Sequence, residues 1–175
     1  MDESKSKELL LNRLWEEMKQ ASCNMYYAEL LIDKQIFNSK IYNCIIASLS
    51  FGGAILSFLS LYFPLVANII VGLLSILNQF YPVLFLKTED IVKLCGLQAD
   101  YILYFHRLQN LYDFLYSGEK SVEMTQKDYT HLKEENVSKQ IEIAKLFGTT
   151  YKKLVRKAQM KSDKYLTSIY FYEKG

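Results

Sequence analysis

"IYNCIIASLSFGGAILSFLSLYFPLVANIIVGLLSILNQFYPVLFL", residues 41–86, contains no Asp, Glu, Lys, Arg or His. Charged residues make up 23% of the 175-residue chain, so an uncharged run of 46 residues is not a chance feature. A membrane-spanning helix needs about 20 apolar residues, because a rise of about 1.5 Å per residue must cover roughly 30 Å of hydrocarbon. The run is too long for one such helix and about right for two. Pro64, which suits the first turn of a helix, divides it into predicted spans at 41–62 and 65–86.

Lysines flank the outer ends of this predicted hairpin, and its connecting turn has none. Lys34 and Lys40 precede the hairpin, and Lys87 and Lys93 follow it. Because Lys and Arg concentrate on the cytoplasmic side of a membrane, both termini are predicted to lie in the cytoplasm. The other interpretation is a hydrophobic hairpin buried within a soluble helical protein, although such a core seldom needs so long an uncharged run.

The sequence on either side of the hairpin is patterned for long helices. Residues 4–40 repeat apolar side chains at alternating spacings of three and four without Pro or Gly, which predicts one helix that continues into the first span. A second helix is predicted after the hairpin, with Thr88 as its cap and Gly118 at its end. A third, rich in Lys and Glu, is predicted over residues 125–166 with a bend at Gly148.

The predicted fold is therefore all-α, a two-helix transmembrane hairpin with long cytosolic helices that form a bundle or a coiled-coil assembly. Its regions are an N-terminal cytosolic helix (1–40), the hairpin (41–86) and a C-terminal cytosolic helical region (87–175). The helix after the hairpin carries the clearest apolar stripe: Leu94, Leu97, Tyr101, Tyr104, Leu108, Leu111 and Leu115. Such a stripe is typical of a bundle core or of a seam between copies, and both interpretations stay open.

Small and polar residues in the second predicted span share one face. They follow spacings of four and three: Asn68, Gly72, Ser75, Gln79 and Pro82. At about 100° per residue these positions span an arc of roughly 80°, and Asn78 lies at its edge. The side chains of Asn68, Ser75, Asn78 and Gln79 would either hydrogen-bond between helices or line a water-filled path. Two spans of one chain cannot enclose a pore, so the second interpretation requires several copies.

The sequence offers no arrangement of catalytic residues. The phosphate-binding, dinucleotide-binding, nucleophile-elbow and zinc-protease motifs are all missing, and Cys23, Cys44 and Cys95 stand far apart without a CxxC pair. We therefore expect no enzymatic activity, no cofactor and no metal site.

The segment YKKLVRKAQMKSDK, residues 151–164, is strongly basic. Lys152, Lys153, Arg156 and Lys157 are candidate contacts for an acidic partner, either RNA or the headgroups of acidic lipids. A solvated helix face is the simpler interpretation of the same pattern, so direct nucleic-acid binding stays open.

The order of these segments resembles a known class of bacterial membrane proteins. A leading helix with LLNRLWEEM (residues 10–18), a tight uncharged hairpin and a cytosolic helical tail resemble the SLATT-type two-transmembrane antiviral effectors. The layout also looks like the small membrane accessory proteins of type VI-B CRISPR systems, which work beside an RNA-guided RNA-cutting effector. The resemblance covers most of the chain and implies an oligomer in the bacterial inner membrane. The accessory family is proposed to carry a degenerate HEPN-like nuclease motif, and this sequence has no intact copy of that motif.

The leading hypothesis is an oligomeric pore or permeabilising effector of prokaryotic antiviral defence that depolarises the inner membrane on activation. Its expected partners are membrane lipid, further copies of the same chain, and an RNA-guided nuclease system or a nucleotide signal. The alternative is a non-conducting anchor or scaffold that recruits a cytosolic nuclease or another defence partner.

Overall fold

Five α-helices and no strand make up the described part of this computed structural model. Its backbone is described over residues 3–59, 64–146 and 151–171, and its side chains over 3–52, 68–81, 85–137 and 151–171. The helices are α1 (Glu3–Leu59), α2 (Pro64–Leu84), α3 (Thr88–Ser117), α4 (Val122–Leu146) and α5 (Lys152–Tyr170). The prediction of an all-α protein is confirmed.

The positions of proline and glycine agree with the extents of α1 and α2, the two helices of the uncharged run. The first 51 residues of the chain contain neither Pro nor Gly, and α1 runs without interruption past residue 40. Helix α2 begins at Pro64, whose fixed φ and missing N–H suit a first turn. Pro82 lies in the last turn of α2, where it has no N–H to donate to the carbonyl of Asn78.

The start of α3 differs by one residue from the prediction. The carbonyl of Lys87 accepts hydrogen bonds from the N–H groups of Asp90 and Ile91 at 3.0 and 3.1 Å. Lys87 therefore precedes the helix in the capping position, and Thr88 is its first residue rather than its cap. The end agrees with the prediction, because Gly118 has φ 81°, in the left-handed region that glycine tolerates best.

The predicted helix over residues 125–166 is two helices in the structure. Helix α4 begins at Val122, because the Ser121 hydroxyl accepts the N–H of Met124 at 3.4 Å and caps the first turn. Helix α5 then extends to Tyr170. The predicted bend at Gly148 lies outside the described residues.

Two compact units are formed, and their boundaries lie inside α1 and α3. Unit 1 comprises Met1–Leu31 and Lys93–Gly175, and unit 2 comprises Ile32–Val92. The regions divided at residues 40 and 86, which were drawn from the charge pattern, stay a prediction. Within the part of the chain that the structure describes, no helix is long and apolar enough to cross a membrane.

The core of unit 1 collects one apolar stripe from each of its helices. Leu14 and Met18 of α1 are fully buried, and so is Leu108 of α3. Tyr129 and Leu132 of α4 and Leu166 of α5 complete the same cluster. Burying such side chains stabilises the bundle by about 1.5–3 kcal/mol each before conformational entropy is subtracted.

Candidate functional site

Aromatic rings hold α1 and α2 together in unit 2. The ring of Tyr42 lies 5.3 Å from that of Tyr81 and 5.1 Å from that of Phe85, measured between centroids. The Tyr42 hydroxyl donates to the backbone carbonyl of Leu77, and the hydroxyls of Ser39 and Tyr81 share a hydrogen bond of 2.7 Å. The rings are therefore partly buried while their polar tips keep hydrogen-bond partners.

The polar stripe of α2 lies on the side of the helix away from α1. The side of α2 that packs in unit 2 is marked by its half-buried positions: Ile70, Leu74, Leu77 and Tyr81. At about 100° per residue, the stripe of Asn68, Ser75 and Gln79 is centred roughly 150° from this packed side. All three of these side chains are exposed in the single chain.

The exposed stripe makes no hydrogen bond to α1 among the described residues. The Ser75 hydroxyl donates to the carbonyl of Val71 in its own helix at 3.0 Å. A methyl group added at Gly72 would meet nothing within 4 Å. Asn78, roughly 70° from the packed side, is exposed as well. Of the interpretations that the sequence left open, contact with α1 of the same chain has no support, whereas contact between copies and a lumen both remain.

Many large apolar side chains are exposed among the described residues of unit 2. Between 44% and 75% of each of the following is exposed: Ile41, Ile45, Phe51, Ile69, Val71, Leu73, Ile76 and Phe80. Scattered apolar residues on a surface are ordinary, but a contiguous set marks contact with lipid or with another protein. The described part of the hairpin thus exposes large apolar side chains beside the polar stripe of α2.

In unit 1, the structure places all seven residues of the predicted α3 seam inside the bundle. Their exposed fractions lie between 0% and 9%. Phe105, which the predicted stripe omits although it lies four residues after Tyr101 and three before Leu108, is only 1% exposed and belongs to the same core. In the single chain the stripe therefore packs inside the bundle.

A polar cluster lies at the edge of this core around the carboxylate of Glu17. Tyr104 donates to Glu17 Oε1 at 3.0 Å, and Tyr129 donates to Oε2 at 3.3 Å. Lys133 Nζ lies 3.4 Å from the same Oε2. Hydrogen bonds to a charged partner are worth about 1.5–3 kcal/mol each, whereas the half-exposed lysine adds less because solvent screens it. The cluster ties α1 to α3 and α4.

Burial and the Glu17 carboxylate shift the titration of its neighbours. Burial, followed by the nearby Glu17 charge, raises the pKa of Tyr104 above its ordinary value of 10.0. The same two causes raise the pKa of Tyr129, and the Glu17 charge raises that of Lys133. The tyrosines therefore stay protonated as donors and the lysine stays charged as the pH rises. Sequence periodicity gave no signal for this cluster, because Glu17 is separated from Tyr104 by 87 positions.

A pocket of about 440 Å³ opens beside the cluster, lined in part by Leu103, Tyr104 and Asn136. At its edge Arg107 pairs with Glu135 at 3.0 Å, and His131 lies 3.4 Å from the same carboxylate. Within the described residues, no group of three His, Cys, Asp or Glu side chains could hold a metal ion. Arg107 and Glu135, two of the charged residues that line the pocket, pair with each other.

The basic residues predicted on the last helix are exposed on α5. Lys152, Lys153, Arg156 and Lys157 all project from unit 1. The opposite side of α5 is buried through Ala158, Ser162 and Leu166. The helix therefore divides into a packed face and a cationic face.

No protein-family model matches the chain, and neither the curated proteins nor the solved structures include a significantly similar match.

Proposed function

We propose that several copies of this chain assemble in the bacterial inner membrane through the uncharged hairpin and open a water-filled path that depolarises it. The observation that carries the proposal is the direction of the α2 stripe. Asn68, Ser75 and Gln79 are exposed and centred roughly 150° from the side of α2 that packs in unit 2, and large apolar side chains of the described hairpin residues, such as Phe51 and Phe80, are exposed as well.

Hydrocarbon gives an exposed amide no hydrogen-bond partner, which makes a lone stripe of this kind unfavourable in lipid. α1 of the same chain makes no described hydrogen bond to it. Either a second copy or water must then satisfy Asn68 and Gln79. The two helices of one chain cannot enclose water, so either partner, a second copy or enclosed water, requires an oligomer. A lining of amides and hydroxyls carries no charged ring, and we expect little selectivity between cations and anions.

The membrane location rests on the uncharged run of residues 41–86 taken as a whole, which has the length of two spans. Lys34 and Lys40 on one side and Lys87 and Lys93 on the other favour an orientation with unit 1 in the cytoplasm. The role in antiviral defence, with an RNA-guided nuclease system or a nucleotide signal as partner, follows from the resemblance to two-transmembrane effectors.

Ion flux through liposomes tests this function. Purified full-length protein is reconstituted, a potassium diffusion potential is imposed, and its decay is followed with a voltage-sensitive dye. Gln79→Leu removes the stripe amide, and Phe80→Leu is the matched control, since it places the same residue at the next, exposed apolar position. The wild type and Phe80→Leu should collapse the potential, and Gln79→Leu should do so much more slowly.

The mass of each variant then separates the two roles of the stripe. If Gln79 lines a lumen, Gln79→Leu should lose flux and keep its subunit number. If Gln79 forms hydrogen bonds between copies, Gln79→Leu should lower both the ion flux and the subunit number. An assembled wild type that leaves the potential intact would refute conduction and favour the anchor or scaffold.

A further inference from the structure

The exposed face of α5 carries an unusual concentration of positive charge. Five cationic side chains project from it within about 140° of arc: Lys152, Lys153, Arg156, Lys157 and Lys164. Met160, of which 66% is exposed, lies near the centre of this arc. We call these six residues the α5 basic face.

The described residues do not balance the charges of the α5 basic face. Among the described residues, no acidic side chain pairs with any of its five cations. Asp163 lies within the same arc and is 3.8 Å from Lys19 of α1, while Lys161, just outside the arc, bonds Glu29 at 2.9 Å. Since the acid in the arc faces Lys19 and no described acid pairs with the five cations, the face is available to an external anion.

The densest part of the α5 basic face lies at one end of unit 1. The backbone N–H of Tyr151 donates to the hydroxyl of Tyr27 at 3.2 Å, which fixes the start of α5 beside that residue. Tyr27 stands four residues before Leu31, where α1 leaves unit 1. The other end of α5 packs on Trp15, whose ring lies 5.4 Å from that of Tyr170. The cations therefore gather where the chain departs toward the uncharged run.

The composition of the α5 basic face distinguishes between two anionic partners. Single-stranded RNA is held by aromatic rings that stack on bases together with cations that follow the backbone. None of the six residues of the α5 basic face is aromatic, and the ring of Tyr170, which lies in the same arc, packs on Trp15. Four of the five cations are lysines. Lysines with an apolar side chain among them are typical of segments that rest on anionic headgroups and insert a short apolar group between them.

We infer that the α5 basic face binds the anionic headgroups of the membrane in which the hairpin sits, an inference that rests on the proposed function. Lys152, Lys153, Arg156 and Lys157 supply the charge, and Met160 enters the headgroup layer. The contact holds unit 1 to the inner leaflet and depends on acidic lipid.

Hydrogen exchange of the full chain in nanodiscs tests this contact. Discs of phosphatidylcholine are compared with discs that also contain phosphatidylglycerol, and the α5 peptide is measured against an α4 peptide as reference. We expect acidic lipid to slow exchange in α5 about tenfold, since each cation near an anionic surface contributes favourably. The effect should disappear in about 1 M salt, where the screening length is about 3 Å.

Two triple variants separate a local contact from the net charge. Lys153→Gln/Arg156→Gln/Lys157→Gln should abolish the lipid-dependent slowing. The control Lys5→Gln/Arg13→Gln/Lys127→Gln removes two lysines and one arginine from exposed positions elsewhere in unit 1 and should retain it. Equal slowing in wild type and the α5 variant would overturn the inference. Slowing caused by added single-stranded RNA in phosphatidylcholine discs, with none caused by acidic lipid, would overturn it in favour of nucleic acid.

The same samples report separately on the hairpin. If the chain failed to enter discs, the membrane hairpin would be refuted. The α5 basic face would then be tested by sedimentation with preformed vesicles, where binding to acidic vesicles alone supports it and binding to neither kind refutes it.

Discussion

Replacing Leu108 by Ala should strongly destabilise unit 1, whereas the same change at Leu103 should not. Both residues lie within α3, so the change in helix propensity from Leu to Ala is the same in the two variants and cancels when they are compared. Leu108 is fully buried, and half of Leu103 is exposed. Losing three buried carbon atoms at Leu108 costs about 2.4 kcal/mol of transfer free energy, and the cavity left behind brings the total to about 3 kcal/mol. At Leu103 about 1 kcal/mol is expected, because no closed cavity forms.

Urea unfolding of the purified protein measures this difference. Trp15 is the only tryptophan in the chain, and its ring lies 5.9 Å from Tyr112 and 5.4 Å from Tyr170. Its fluorescence therefore reports the packing of α1 against α3 and α5. With a denaturant slope of about 2 kcal/mol per molar urea, the midpoint should fall by about 1.5 M for Leu108→Ala and about 0.5 M for Leu103→Ala. Equal shifts would refute the bundle core.

Two further predictions concern polar groups of the same bundle. The Ser22 hydroxyl is buried and has no hydrogen-bond partner among the described residues, so Ser22→Ala should raise the free energy of unfolding by about 1 kcal/mol; an unchanged or lower urea midpoint would contradict this. Folding raises the pKa of Tyr104 above 10.0. The contribution of its protonated hydroxyl to the free energy of unfolding is therefore fully present below pH 10 and is lost as the pH rises above 10. The urea midpoint should fall above pH 10, less steeply in Tyr104→Phe than in the exposed control Tyr116→Phe, and parallel curves would show that the shift is absent.

Local pattern was enough to predict the class of fold and much of its core. The three-four spacing on α3 identifies seven buried positions, since one face of a helix is fixed by sequence alone. Gly118 likewise predicts the end of α3. The start of α4 was predicted too late, near Thr125, because the capping role of Ser121 was not recognised. Several Ser and Thr residues lie in this part of the sequence, and each has a hydroxyl that can accept a backbone N–H three residues later.

The packed side of α2 and the cluster around Glu17 depend on contacts between helices, which local sequence patterns do not predict. The polar arc of α2 follows from spacing, but which side of α2 packs within unit 2 depends on Tyr42, Tyr81 and Phe85 meeting across the hairpin. The cluster around Glu17 joins residues up to 116 positions apart, and no periodic signal connects them. Whether a stripe forms a bundle core or a seam also depends on the partner helices that cover it.

The proposed function requires an oligomer, and the mass of the intact assembly reveals whether one forms. Full-length protein is extracted in mild detergent or kept in nanodiscs and measured by native mass spectrometry. One chain has a mass of 20.5 kDa. The account predicts one dominant species at a fixed multiple of that mass, while a monomer at every protein concentration would contradict it.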